Sequence, residues 1–129
     1  MPDLELADEW RDFARGDLDS AHFLQGARPL RVEIICYHCQ QAAEKALKAV
    51  LIYHEEELPY IHNTLRLWRL AFALEPTLLD LEAQSDRLRD FATTARYPNE
   101  ANITERDMKQ ALRDAQAIVE AVEALWKEA

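Results

Sequence analysis

Apolar residues recur every three or four positions along most of the chain, which is the repeat of helices that each lay one face on a core. The pattern predicts five helices. The first runs from about Leu4 to Gly26, with apolar marks at Leu6, Trp10, Phe13, Ala14, Leu18, Ala21 and Leu24, and Gly26 and Pro29 close it. The second, from near Leu30 to about Glu55, contains no Gly or Pro and reads as the central helix. One of its stripes is Ile35, Cys39, Ala42, Ala46, Ala49 and Tyr53; the other is Cys36, Ala43, Leu47, Val50, Leu51 and His54. Two apolar faces predict two packing partners, and the short side chains on one of them let another helix approach closely. Pro59 marks a turn, and a short third helix follows from about Asn63 to Leu74, ended by Pro76. Thr77 with Asp80 predicts a capped start for a fourth helix, about Leu78 to Thr94, which Pro98 stops near Ala95 or Arg96. Thr104 with Asp107 starts the fifth, whose stripe from Met108 and Leu112 through Ile118 and Val122 reaches Trp126. With short connections and no internal repeat, residues 1–129 are expected to form a single domain, an all-α antiparallel bundle.

Composition narrows the class. Two Gly and five Pro beside 49% hydrophobic and 30% charged residues exclude a collagenous, low-complexity or disordered chain. No apolar run nears the roughly 18 residues of a membrane span. The start, Met1-Pro2-Asp3-Leu4-Glu5, has acids where a secretory signal would be basic, so a cytoplasmic protein with no membrane partner is expected. The net charge of −9, from 24 acids and 15 bases, argues against broad duplex binding, which needs a clustered basic surface. It leaves room for a local nucleotide pocket, for which Lys45, Lys48, Arg66, Arg69 and Arg96 are the available bases; the alternative is that they are simply solvated.

Candidate chemistry is sparse. Cys36 and Cys39 form a C-x-x-C inside a helix, without the preceding strand of a redox site or a second pair to complete a zinc site, so both are read as small core residues. No metal, cofactor or disulfide partner is expected. His22, His38, His54 and His62 have no nucleophile beside them that would make a triad. A metal-independent ribonuclease needs an acid or base that titrates near neutrality and a cation for the developing charge, so Arg–His spacings matter. Arg15–His22 and Arg31–His38 have such spacing, but with eleven Arg and four His about one hit is expected by composition alone.

Four segments taken together resemble the HEPN domain family, named for higher eukaryotes and prokaryotes nucleotide-binding. They are Trp10 with Asp17-Leu18-Asp19-Ser20-Ala21, the core from Cys39-Gln40-Gln41-Ala42-Ala43-Glu44 to Ala49, Pro59 with His62-Asn63-Thr64-Leu65, and Ala95-Arg96-Tyr97-Pro98. The resemblance covers nearly the whole chain. It implies an up-and-down helical bundle akin to the substrate domain of kanamycin nucleotidyltransferase, usually homodimeric, and often partnered by a minimal nucleotidyltransferase in toxin–antitoxin-like pairs. Many members are ribonucleases with an Arg-x4–6-His motif. Here the arginine would be Arg96, and Ala101, Asn102 and Ile103 stand where the histidine should fall, so no catalytic residue is carried over. The resemblance therefore points to a branch with Arg-Tyr-Pro that binds rather than cleaves.

The leading expectation is a non-catalytic nucleotide- or RNA-binding homodimer working with a nucleotidyltransferase. The alternatives are a ribonuclease toxin using His62 or His38, and a purely structural oligomerisation module. The dimer is expected because a five-helix monomer would not cover both faces of the second helix, leaving a self-complementary two-fold patch. The binding groove is expected at Arg96, Tyr97 and Asn99, where Pro98 fixes a loop, Arg96 offers a planar fork for phosphate and Tyr97 a ring for stacking. Gln41, Lys45 and Lys48 would form its wall and His62 would approach from another loop. The competing readings are that Arg96 caps the fourth helix, Tyr97 plugs the bundle end, and Glu44–Lys48 is a surface ion pair worth a few tenths of a kcal/mol.

Overall fold

A computed structural model of the chain describes residues 2–92 and 102–126. The five helices are α1 (Leu4–Leu24), α2 (Val32–Tyr53), α3 (Thr64–Leu74), α4 (Glu82–Leu88) and α5 (Glu105–Glu123), with no strand among the described residues. Three helix starts are capped by side chains. Asp3 accepts from the Leu6 amide and Asn63 from the Arg66 amide. Thr104 and Asp107 form a full reciprocal capping box on α5, at 2.9 and 3.1 Å, as their spacing predicts. Thr104→Ala is expected to lower stability by about 1 kcal/mol, readable as a shifted urea midpoint at constant slope.

α2 ends in a Schellman turn. The Glu56 amide donates to Leu51 O and the Glu55 amide to Ile52 O, with Glu55 at φ 58°, a left-handed position more often given to glycine. Helix directions follow from paired residues. The Asp3 amide donates to Tyr53 O, so α1 and α2 are antiparallel; Arg15 meets Glu123 and His22 meets Gln116, so α1 and α5 are too. α3 departs from strict alternation. Gln40 holds His62 O just ahead of α3 while His54 meets Glu75 just after it, so the segment after α2 doubles back and α3 runs parallel to α2.

α2 is the axis of the bundle. Ala7, Ala14 and Ala21, one every seven residues on α1, are fully buried, as are Ala42, Ala43 and Ala49 on α2; with no side chain beyond Cβ, the backbones of these helices can come close. Ile118 and Val122 of α5 and Leu67 of α3 fill the remaining sides. Both predicted stripes of α2 are thus covered within one chain except at their half-exposed ends, Tyr53 and His54. The face expected to wait for a second copy is taken by the chain's own α3 and α4 region, which corrects the argument for the dimer. Cys36 and Cys39 are free and fully buried; burial, with a smaller push from nearby acids, raises the Cys36 thiol to about 12. Burial likewise raises the Cys39 thiol.

The fourth segment differs most from its predicted form. A 3-10 run over Pro76–Leu81 precedes α4 and another over Arg89–Ala92 follows it, and no side chain caps the start at Thr77 and Asp80. Buried side chains claim its carbonyls instead: Trp68 Nε1 donates to Leu78 O at 2.8 Å, Ser85 Oγ to Leu81 O at 2.8 Å, and Thr64 Oγ1 to Ser85 O at 2.7 Å. A segment pinned to α3 at two carbonyls, with a third claimed by its own Ser85, follows the surface it packs on rather than one α-helical cylinder.

Candidate functional site

The polar residues of α2 converge on one arc. Gln40 and Glu44 are one turn apart, Lys48 is a turn further, and each is at least nine-tenths buried. Lys48 Nζ donates to Glu44 Oε2 at 2.9 Å, and Gln40 Nε2 donates to Glu44 Oε1 at 3.1 Å and to His62 O at 2.8 Å. His62 Nδ1 lies 3.2 and 3.1 Å from the two Glu44 oxygens. Glu44 therefore collects three donors, and the Asn63 cap of α3 and the Gln40 amide fix the backbone around His62.

Burial by itself would push the Glu44 carboxyl up. Hydrogen bonds from Lys48, Gln40 and His62, with the Lys48 charge, outweigh it and hold the carboxyl below its ordinary range. With an ionised acceptor at Nδ1, His62 donates its Nδ1–H to Glu44, and the rest of its ring belongs to a side chain that is 56% exposed. Tyr60, 96% exposed, meets the His62 ring edge-on at 5.5 Å between centroids. An oriented imidazole and an aromatic face thus sit side by side above a buried ion pair.

The predicted site residues divide accordingly. His62 is in place. Lys48 is corrected from groove wall to buried partner of Glu44, because its side chain is only 8% exposed. Lys45 is tied instead to α1, where Asp17 receives Lys45 Nζ at 2.5 Å and faces His38 Nδ1 at 3.0 Å. Gln41 donates to Gln40 Oε1 at 2.7 Å and so braces the network from its edge. Arg96, Tyr97 and Asn99 lie outside the described residues. Gln40 and Tyr60 were not singled out from sequence. The i, i+4 spacing of Gln40 and Glu44 is a signal for the first; Tyr60 gives none, since a loop tyrosine beside a proline has no periodicity. Among the described residues no group of three or more His, Cys, Asp or Glu is arranged to hold a metal ion, and no helix is long and apolar enough to cross a membrane.

An all-α bundle wound on an alanine-rich central helix, with a buried carboxylate–lysine pair under an exposed histidine, defines a small helical domain with one polar edge. The chain belongs to the HEPN domain family, whose profile matches residues 7–125. Its structure is similar to the crystal structure of TT1696 from Thermus thermophilus, with a TM-score of 0.75 and 29% identity over 91% of this chain and 95% of that one. No curated protein sequence matches it.

Proposed function

We propose that this HEPN protein is a non-catalytic nucleotide- or RNA-binding homodimer that works beside a minimal nucleotidyltransferase, and that its ligand meets the chain at Tyr60 and His62. The observation that carries the reading is the exposed Tyr60 ring beside a His62 held by Gln40 and Glu44. A base stacks on the ring, and His62 supplies a positioned hydrogen bond to sugar or phosphate. The arrangement suits single-stranded RNA better than duplex, since an unpaired base has its face free and the acidic chain disfavours broad phosphate contact. With both faces of α2 covered, Phe13 and Phe23 of α1, 61% and 77% exposed, are large apolar side chains on one helix that a second copy would cover.

Tyr60→Ala is expected to weaken binding of a short fluorescent oligouridylate about 5- to 150-fold, the measured range for one lost stacking contact of about 1–3 kcal/mol. His62→Ala should weaken it as well while thermal unfolding stays cooperative. Unchanged affinity in both variants overturns the assignment. Light scattering reads the dimer, with a mass near 14.9 kDa counting against it.

One observation favours the ribonuclease alternative. A carboxylate on Nδ1 that leaves Nε2 free toward solvent is how an imidazole is oriented to take a proton. Cleavage of RNA by the wild type, abolished in His62→Ala, would select that reading over binding alone.

A further inference from the structure

We propose that the groove between the end of α1 and the first turns of α5 binds a phosphate group, at Lys109 and Arg113, separately from the His62 edge. The pocket there, about 380 Å³, is lined by His22 and Gln25 on one side and by Lys109, Leu112, Arg113 and Gln116 on the other. No carboxylate lines it, in a chain where acids outnumber bases by 24 to 15. Its volume falls at the low end of small-ligand pockets, which suits a phosphate or diphosphate group rather than a whole nucleotide.

Lys109 and Arg113 are an i, i+4 pair of like charges, an arrangement that costs helix stability unless something negative lies between them. Their present partners are weak: Glu105 stands 3.6 Å from Lys109 with both side chains 59% exposed, and Arg113 donates to the neutral Gln110 side chain at 2.9 Å. Complementing the C-terminal end of α1 does not explain them. The carbonyls of His22, Phe23 and Leu24 already accept from the amides of Gln25, Gly26 and Ala27. The Gln25 and Ala27 carbonyls accept from Arg28.

The neutral side chains of the pocket are arranged as walls. Gln116 Nε2 donates to Glu120 at 2.5 Å, which turns the Gln116 oxygen toward His22 Nε2 at 2.8 Å, and Gln25 Nε2 donates to His22 Nδ1 at 3.3 Å. Both ring nitrogens of His22 are thereby occupied, and the ammonium and guanidinium are left as the groups that meet an anion. Arg113 supplies the planar fork that fits phosphate oxygens and Lys109 a point charge.

The test is a titration followed by amide NMR shifts, with inorganic pyrophosphate as the probe. Shifts are expected from Lys109 to Gln116 on α5 and in the last turn of α1. Arg113→Ala and Lys109→Ala should each weaken binding at least fivefold, and Arg89→Ala, which removes another exposed positive charge elsewhere, should leave it unchanged. Two further arms identify the source of the phosphate. A nucleoside triphosphate that binds more tightly than pyrophosphate assigns the site to a free nucleotide; an oligouridylate that does so assigns it to an RNA backbone. Equal weakening by Arg89→Ala and Arg113→Ala, or shifts confined to Tyr60 and His62, overturns the site. Since His62→Ala does not touch α5, loss of the His62 reading would leave this result standing, and the reverse holds too.

Discussion

Glu44→Ala is expected to destabilise the protein by about 3–5 kcal/mol, because it strands a buried ammonium. The Lys48 side chain is 8% exposed and its hydrogen-bonded partner is Glu44, so the variant leaves a desolvated positive charge unpaired and removes the acceptor of Gln40 and His62 as well. Replacing both ends, as Glu44→Leu with Lys48→Met, should recover most of the loss or exceed wild type, since apolar pairs of similar volume often match a buried ion pair. Urea unfolding of the three proteins measures this; a double variant as unstable as Glu44→Ala would refute it. The pH dependence has a definite sign. The Glu44 carboxyl is held below its ordinary value in the folded chain, so its contribution is present above the unfolded value of about 4.3 and disappears as pH falls through the lower folded value. Glu44→Gln should therefore differ most from wild type near neutrality and converge on it in acid. The same variant should weaken RNA binding, because it loosens His62 without altering any group that faces the ligand.

The number of the helices, and the placement of all but the fourth, were legible because each leaves a periodic trace of its own. Thr104 and Asp107 are three residues apart on one chain segment, and their capping box needs nothing from elsewhere. Cys36 and Cys39 fall one on each apolar stripe of α2, and both are buried. What sequence could not supply is which element covers which face. The second stripe of α2 is real, but periodicity counts faces and not partners; its cover comes from a segment that doubles back so that α3 runs parallel. The same gap turned Glu44–Lys48 from a surface pair of a few tenths of a kcal/mol into a buried one whose breakage costs several. Lys45 and Lys48 are three residues apart and look like one wall. They diverge because Asp17 of α1 claims one and Glu44 of α2 the other, a choice made by tertiary packing.

Trp68→Ala is expected to cost about 3–5 kcal/mol, the range for deleting a large buried aromatic. Trp68 is 5% exposed, stacks on Phe72 with ring centroids 5.1 Å apart, and its indole N–H holds Leu78 O at 2.8 Å. Packing and hydrogen bonding can be separated by Trp68→Phe. Phenylalanine keeps most of the ring burial but leaves the Leu78 carbonyl without its donor, for an expected loss of about 1–3 kcal/mol. The location of the damage is as diagnostic as its size. Pro76–Leu81 depends on α3 for the donor that satisfies its carbonyl there, so amide exchange in Trp68→Phe should accelerate in that run and change little in the Thr104-capped start of α5. Thr64, one residue beyond the Asn63 cap and two from His62, ties the following α4 to α3 through Ser85 O. Loosening that run therefore reaches the polar edge by a short path, and Trp68→Phe should lower RNA affinity less than His62→Ala but measurably. An affinity equal to wild type, with exchange raised only at Pro76–Leu81, would mean that Gln40 and Glu44 alone hold His62 in place.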